Sequence, residues 1–152
     1  MNLNLYNKTF LISGSSKGIG LKIAESLLNE GANTIITGRS KKLVKKQFNK
    51  LYPKYGFKLA YVNGDIKNNL VLKKIRNIVK KRWNKIDGIV ANAGSIKKNI
   101  SFINSEKDFY WYQKNNFLTA FKFVNYFLDE SDFRKIFSLI PWKSSENALK
   151  MK

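Results

Sequence analysis

The sequence predicts an α/β protein, a doubly wound parallel sheet of five strands in the order 3-2-1-4-5. Three observations lead there. Short apolar runs bounded by Gly or Asn alternate four times with longer runs of helical period. The short runs are rich in β-branched residues without clean apolar/polar alternation, as in strands covered on both faces. A glycine-spaced turn follows the first of them.

Phe10–Ser13 reads as the first strand. Residues 18–30 repeat Ile19, Ile23, Ala24, Leu27 and Leu28 and stop at Gly31, a natural helix C-terminal cap. Thr34–Thr37 is the second strand. The helix at 41–52 carries Val44, Phe48, Leu51 and Tyr52 and ends at Pro53. Leu59–Val62 is the third strand, and 69–83 is a helix with Val71, Ile75, Ile78, Val79 and Trp83. Ile86–Ala91 is the fourth strand. Residues 106–128 repeat Phe109, Tyr112, Phe117, Ala120, Phe121, Val124 and Leu128, and Ile136–Ile140 is the fifth strand. The crossovers put two helices on each face. Residues 1–140 form one domain, and 141–152 an irregular tail with neither a strand nor a full helix.

At 152 residues with 43% hydrophobic residues, the chain is long and apolar enough to bury one core. The absence of Cys and His excludes disulfide scaffolds, thiolate or imidazole metal ligands and imidazole catalysis, and no metal site is expected. No apolar run approaches the ~18 residues of a membrane helix, and no signal peptide is evident, so the expected location is cytoplasmic. The formal net charge is +19, from 29 basic and 10 acidic residues. Only Arg39, Arg76, Arg82 and Arg134 are Arg. Lys, Asn and Ile have A/T-rich codons, so a skewed genome explains this composition as well as a polyanion does. Residues 41–85 hold 15 Lys/Arg against one acid, Asp65. The two helices carrying them belong on opposite faces of the sheet, so the charge is dispersed and nucleic acid is the less favoured partner.

Between the first strand and first helix lies Ser13-Gly14-Ser15-Ser16-Lys17-Gly18-Ile19-Gly20, with glycines spaced G-x-x-x-G-x-G. Such a turn offers backbone N–H groups and the positive end of a helix to a pyrophosphate, and glycine permits the close approach. After the second strand comes Arg39, where an NAD-binding chain of this architecture carries an acid for the ribose 2′-hydroxyl. With Lys17 in the loop and no carboxylate, the pattern favours a 2′-phosphate, hence NADP(H) over NAD(H). Asn116 falls on the same stripe as Phe109, Tyr112, Ala120 and Phe121, facing the sheet. There its amide would hold a water and a main-chain carbonyl, or be satisfied as a core amide.

These segments resemble the short-chain dehydrogenase/reductase family. SGSSKGIG is similar to its TGxxxGIG loop, with Ser13 in place of Thr; Gly38-Arg39, Asp65, Asn92-Ala93-Gly94 and Asn116 follow in order over roughly residues 5–140. The branch it looks most like is that of the acyl-carrier-protein reductases. The resemblance implies a Rossmann-like NADP-binding domain over 1–140. Its cofactor contacts would be at Gly14, Ser16, Lys17, Gly18, Ile19, Gly20, Arg39, Asp65, Ile66, Asn92, Ala93 and Gly94. Asn116 would belong to the active site, and the substrate would be a small carbonyl or alcohol. Asp65 would hold the adenine.

The family also implies a Ser after strand five and a Tyr-x-x-x-Lys pair on the following helix. The one such pair, Tyr110 and Lys114, stands before Asn116 and out of order. For the Ser, Ser138 lies inside the fifth strand, Pro141 stands near the family position, and Ser144 and Ser145 follow. A catalytically incomplete, C-terminally truncated form is therefore expected, through a divergent end or a frameshift. Its fifth strand would be an uncovered edge open to self-association. A dinucleotide-binding module without turnover and a basic nucleic-acid binder are the other readings.

Overall fold

The computed structural model describes residues 3–95, 105–128 and 136–138. The elements are β1 Thr9–Ile12, α1 Gly18–Asn29, β2 Asn33–Gly38, α2 Lys41–Tyr55, a 3-10 turn at Gly56–Lys58, β3 Leu59–Asn63, α3 Asn69–Arg82 and β4 Gly88–Ala91. They continue with α4 Glu106–Tyr112, a π-helical segment Gln113–Phe117, α5 Leu118–Leu128 and β5 Ile136–Ser138. Strands β1 to β4 pair in parallel in the order 3-2-1-4, and the backbone of β5 pairs in parallel with β4 on its outer side. Because every pair is parallel, all carboxyl ends reach the same edge of the sheet.

Neighbouring residues on a strand point to opposite faces. Leu11 and Ile12, or Ile35 and Ile36, therefore serve two separate cores, which is why the strands show no polar alternation. One core joins Ile12, Ile36, Leu59 and Val90 to Ala24, Leu28, Val44 and Leu51 of α1 and α2. The other joins Leu11, Ile35, Val62 and Ile89 to Val71, Leu72 and Ile75 of α3 and to Ala120, Phe123 and Phe127 of α5. The helices at 41–52 and 69–83 thus lie on opposite faces, as the crossover rule requires.

Helix ends follow local chemistry. Ser40, Asn68 and Ser105 cap α2, α3 and α4, their side-chain oxygens accepting from Leu43, Leu70 and Asp108 N–H. At the end of α1 the N–H of Gly31 donates to Leu28 O and that of Ala32 to Leu27 O, the paired closure in which Gly is favoured.

Three expectations are corrected. Helix α2 does not end at Pro53 but continues to Tyr55. Pro53 lies in the last turn, where its missing N–H leaves only one solvent-facing carbonyl unpaired, and Gly56 closes the helix on Tyr52 O. Strand β4 begins at Gly88 and not at Ile86, because Asp87 turns inward, its carboxylate accepting Thr9 N–H at 2.9 Å and its N–H donating to Thr9 O. The third correction concerns 106–128, read as one α-helix burying Phe109, Phe117, Phe121 and Leu128. All four are exposed, and the buried residues are Thr119, Ala120, Phe123 and Phe127. The π segment causes this, because its wider turn absorbs extra residues and shifts the phase of everything after it. Side chains satisfy carbonyls along it: Thr119 Oγ1 donates to Lys114 O at 3.2 Å and Asn115 Nδ2 to Trp111 O at 2.8 Å.

Two of the four Arg are consumed by packing. Arg76 donates to Tyr126 O and covers the Tyr126 ring, tying α3 to α5. Arg82 donates to Phe57 O and Leu59 O against the Phe57 and Trp83 rings. Loss of hydration there pushes the Arg82 guanidinium below its ordinary value. No helix among the described residues is long and apolar enough to cross a membrane.

The phase shift makes a sharp expectation. Phe123→Ala, at a fully buried site, should cost about 3–5 kcal/mol of stability in urea unfolding. Phe121→Ala, at a residue 59% exposed, should stay within about 0.5 kcal/mol of the parent. Equal losses would contradict the observed phase.

Candidate functional site

The chain leaves β1 at Ser13 and must turn at once, with β2 on one side and β4 on the other. Gly14 makes the turn in the left-handed region, φ +66°, and a Cβ there would lie 2.9 Å from Ala93 Cα. On the β4 side, Ser13 N–H donates to Val90 O at 3.0 Å, and Ser13 Oγ accepts Ala93 N–H at 2.9 Å. Asn92 Nδ2 donates to Ser13 O at 3.2 Å and Gly14 O at 3.1 Å. On the β2 side, Gly14 N–H donates to Thr37 Oγ1 and Ser15 N–H to Thr37 O.

The loop then enters α1. A Cβ on Gly20 would collide with Asn92 Nδ2 and come within 2.7 Å of Gly14 O, so α1 can lie against the turn only with Gly at that position. Gly18 differs. Its φ is +58° and a Cβ would meet nothing within 4 Å, so its surface opens away from the protein. No side chain caps the N-terminus of α1, and its first turn carries no acid. Free N–H groups, the positive helix end and a glycine facing open space form a cradle suited to a phosphate. Ile19, expected among the core-facing residues of α1, is instead 68% exposed at this mouth, because the turn at Gly18 aims it outward.

Arg39 follows β2 directly and is exposed, with no side-chain partner among the described residues. A Cβ on Gly38 would lie 2.6 Å from Ser16 Oγ, so the Ser16-Lys17 and Gly38-Arg39 turns adjoin and their two cations share one region. After β3, Asp65 Oδ1 accepts Lys67 N–H at 2.9 Å, while Oδ2 stands 4.0 Å from Lys67 Nζ. Ile66 is buried in the α3-side core, so it faces this edge only through its backbone. Ala93 is partly buried and Gly94 exposed.

Asn116 lies in the π segment. Its Oδ1 accepts Ser95 N–H at 2.7 Å and its Nδ2 donates to Ser95 O at 3.2 Å, clamping the chain just past Asn92-Ala93-Gly94. Both amide ends are taken by the main chain of one residue. Ser138 is the last residue of β5, its backbone in register with Ala91. Tyr110 is 61% exposed on α4, and Lys114 is exposed in the π segment. Pro141, Ser144, Ser145 and the proposed tail 141–152 lie outside the described residues. Every sequence-derived candidate that is described thus belongs to the carboxyl edge of the sheet or to the helix that reaches it, apart from the Tyr110–Lys114 pair. Sequence reasoning missed Ser15 and Thr37, whose hydroxyls hold the turn. The available signal was two hydroxyl residues at strand ends that otherwise read as apolar.

Comparison with known proteins gives a consistent picture. The short chain dehydrogenase family matches residues 8–137. An uncharacterised oxidoreductase of Saccharomyces cerevisiae is 40% identical over 92 residues, 59% of this chain and 35% of that protein. A 3-oxoacyl-acyl-carrier-protein reductase of Aquifex aeolicus is 37% identical over 97 residues, 62% of this chain and 38% of that protein. The crystal structure of an L-sorbose reductase from Gluconobacter frateurii, complexed with NADPH and L-sorbose, superposes with a TM-score of 0.65 at 26% identity, over 82% of this chain and 48% of that one. The chain therefore spans between a third and a half of the length of these three proteins.

The two helix glycines should respond differently to substitution. Gly20→Ala meets Asn92 and the Gly14 carbonyl and should cost about 1–3 kcal/mol by overpacking. Gly18→Ala has room, so its cost is limited to the left-handed backbone, about 1 kcal/mol. Thermal unfolding of the two variants beside the parent makes the comparison.

Proposed function

The chain belongs to the short-chain dehydrogenase/reductase family, and from that membership we propose that it binds a nicotinamide dinucleotide, NADP(H) in preference to NAD(H), along the carboxyl edge of its sheet. The activity of which it is part is hydride exchange between that cofactor and a small carbonyl or alcohol. The carrying observation is the open face of Gly18 at the uncapped N-terminus of α1, on the same edge as the unpartnered Arg39. The donor set suits the group: N–H groups and a helix end for the pyrophosphate, two cations and no acid for a 2′-phosphate. The bound nicotinamide would supply the hydride chemistry.

The chain's own residues divide the remaining work. Gly14, Ser16, Gly18, Ile19 and Gly20 shape the pyrophosphate cradle. Arg39, with Lys17, holds the 2′-phosphate. Asp65, with one oxygen taken by Lys67 N–H and the other far less engaged, offers an acceptor to the adenine amine, beside the Ile66 backbone. Asn92, Ala93 and Gly94 wall the cofactor on the β4 side, and Asn116 holds that wall in place through Ser95. The crystal complex with NADPH, 26% identical over 82% of this chain, supports the choice of ligand.

A second reading, a dinucleotide-binding module without turnover, is favoured by one observation. The sequence holds a single Tyr-x-x-x-Lys match, Tyr110 and Lys114, and Tyr110 is turned to solvent ahead of Asn116. A positioned general acid contributes about 10²–10⁴-fold to rate. Expressed as these 152 residues, the chain is therefore expected to bind NADPH but not oxidise it with a panel of small ketones and aldehydes. Turnover that vanishes in Tyr110→Phe would assign the acid to that pair and reject the module reading.

Binding is tested by fluorescence titration. Gly18→Val should abolish NADPH binding by filling the cradle. Arg39→Asp should remove about 1.5–3 kcal/mol of NADPH affinity and reverse the preference towards NADH. Equal affinity of the parent for both cofactors would refute the role given to Arg39.

A further inference from the structure

We infer that Thr37, acting with Ser15, is a positioning residue: it sets the height of the glycine loop above the sheet, and through it the affinity for the cofactor's pyrophosphate. The inference rests on the dinucleotide reading above.

The observation is a ladder continued by side chains. The β1–β2 register ends with Ile12 beside Ile36, and the next step would pair residue 13 with Thr37. That step fails, because Ser13 N–H turns to Val90 and Gly14 swings into the left-handed region. Thr37 is left with a main-chain N–H and C=O facing the departing loop, and Ser15 takes both. Ser15 Oγ accepts Thr37 N–H at 2.8 Å, and Ser15 N–H donates to Thr37 O at 2.8 Å. The two hydroxyls complete the set. Thr37 Oγ1 accepts Gly14 N–H at 3.2 Å and donates to Ile12 O at 3.1 Å, and Ser15 Oγ donates to the same carbonyl at 2.8 Å.

Both side chains are buried, Ser15 at 0% and Thr37 at 1% exposure, so solvent replaces none of these bonds. The Asn92 side fixes the loop where Gly20 packs; the Thr37 side fixes where it leaves the sheet. Residues 16–19, whose N–H groups form the cradle, are strung between the two anchors. A binding site loses affinity when its donors shift by about half an ångström. Without the Thr37 hydroxyl, Gly14 N–H has no partner and the first anchor slackens.

The test uses the full 152-residue chain with Thr37→Val, Ser15→Ala and Thr37→Ser. NADPH affinity is read by fluorescence titration, and adenosine 2′-monophosphate, which lacks the pyrophosphate, by NMR titration. Thermal unfolding reports whether each variant folds. Thr37→Val and Ser15→Ala are expected to weaken NADPH about tenfold, leave adenosine 2′-monophosphate within about twofold, and be matched by recovery in Thr37→Ser. Two results overturn the inference: unchanged NADPH affinity in folded Thr37→Val and Ser15→Ala, or equal weakening of both ligands, which marks general destabilisation. If Thr37→Val does not fold, Ser15→Ala decides by the same criteria. A parent chain that fails to bind NADPH at all removes the dinucleotide reading itself, and this inference with it.

Discussion

The way the chain leaves the central strand governs the site. A parallel sheet gives β1 a neighbour on each side, and at its carboxyl end both neighbours are left with main-chain groups that β1 no longer answers. A buried donor or acceptor without a partner costs about 1–3 kcal/mol. Here the groups are answered by short polar side chains at the level of the core: Ser13 and Asn92 towards β4, Ser15 and Thr37 towards β2. The same bonds that close the sheet hold the loop whose outer surface forms the candidate site. Stability and ligand geometry are therefore set by one set of contacts.

Much of this was legible in the residues. Apolar strands bounded by Gly or Asn, a glycine loop after the first, and charge that changes from acid to Arg after the second are local signals, and the fold obeys them. What escaped were features decided by packing. Pro53 reads as a stop, but a proline in the last turn removes one bond that solvent replaces, so α2 runs past it. Ile19 reads as core by its spacing, yet the left-handed Gly18 before it redirects it outward. Phe109, Phe117 and Phe121 read as a buried stripe only if the helix has one period throughout, and the π segment breaks that assumption. Asn116 was selected on that faulty stripe, and its facing is rescued by the same wide turn.

Arginine use separates structural from available charge. Arg76 and Arg82 cover aromatic rings and donate to carbonyls, work that suits a planar guanidinium. Arg39 does neither and stands exposed beside the loop. The lysines, by contrast, spread over α2 and α3 on opposite faces of the sheet. This high charge is a property of the solvent shell, whereas the recognition of an anion is assigned to one Arg in a defined place.

The π segment has a consequence of its own. It divides the long helix into two parts that answer to different demands: upstream and within it, residues such as Asn116 serve the loop past β4, while downstream Phe123 and Phe127 fill the core beneath the sheet. A uniform helix would bind those tasks to one rotation, so that repacking the core would turn the amide away from Ser95. The wide turn works as a rotational clutch. It leaves the core free to drift in volume and shape through mutation while the contact at the ligand edge keeps its aim.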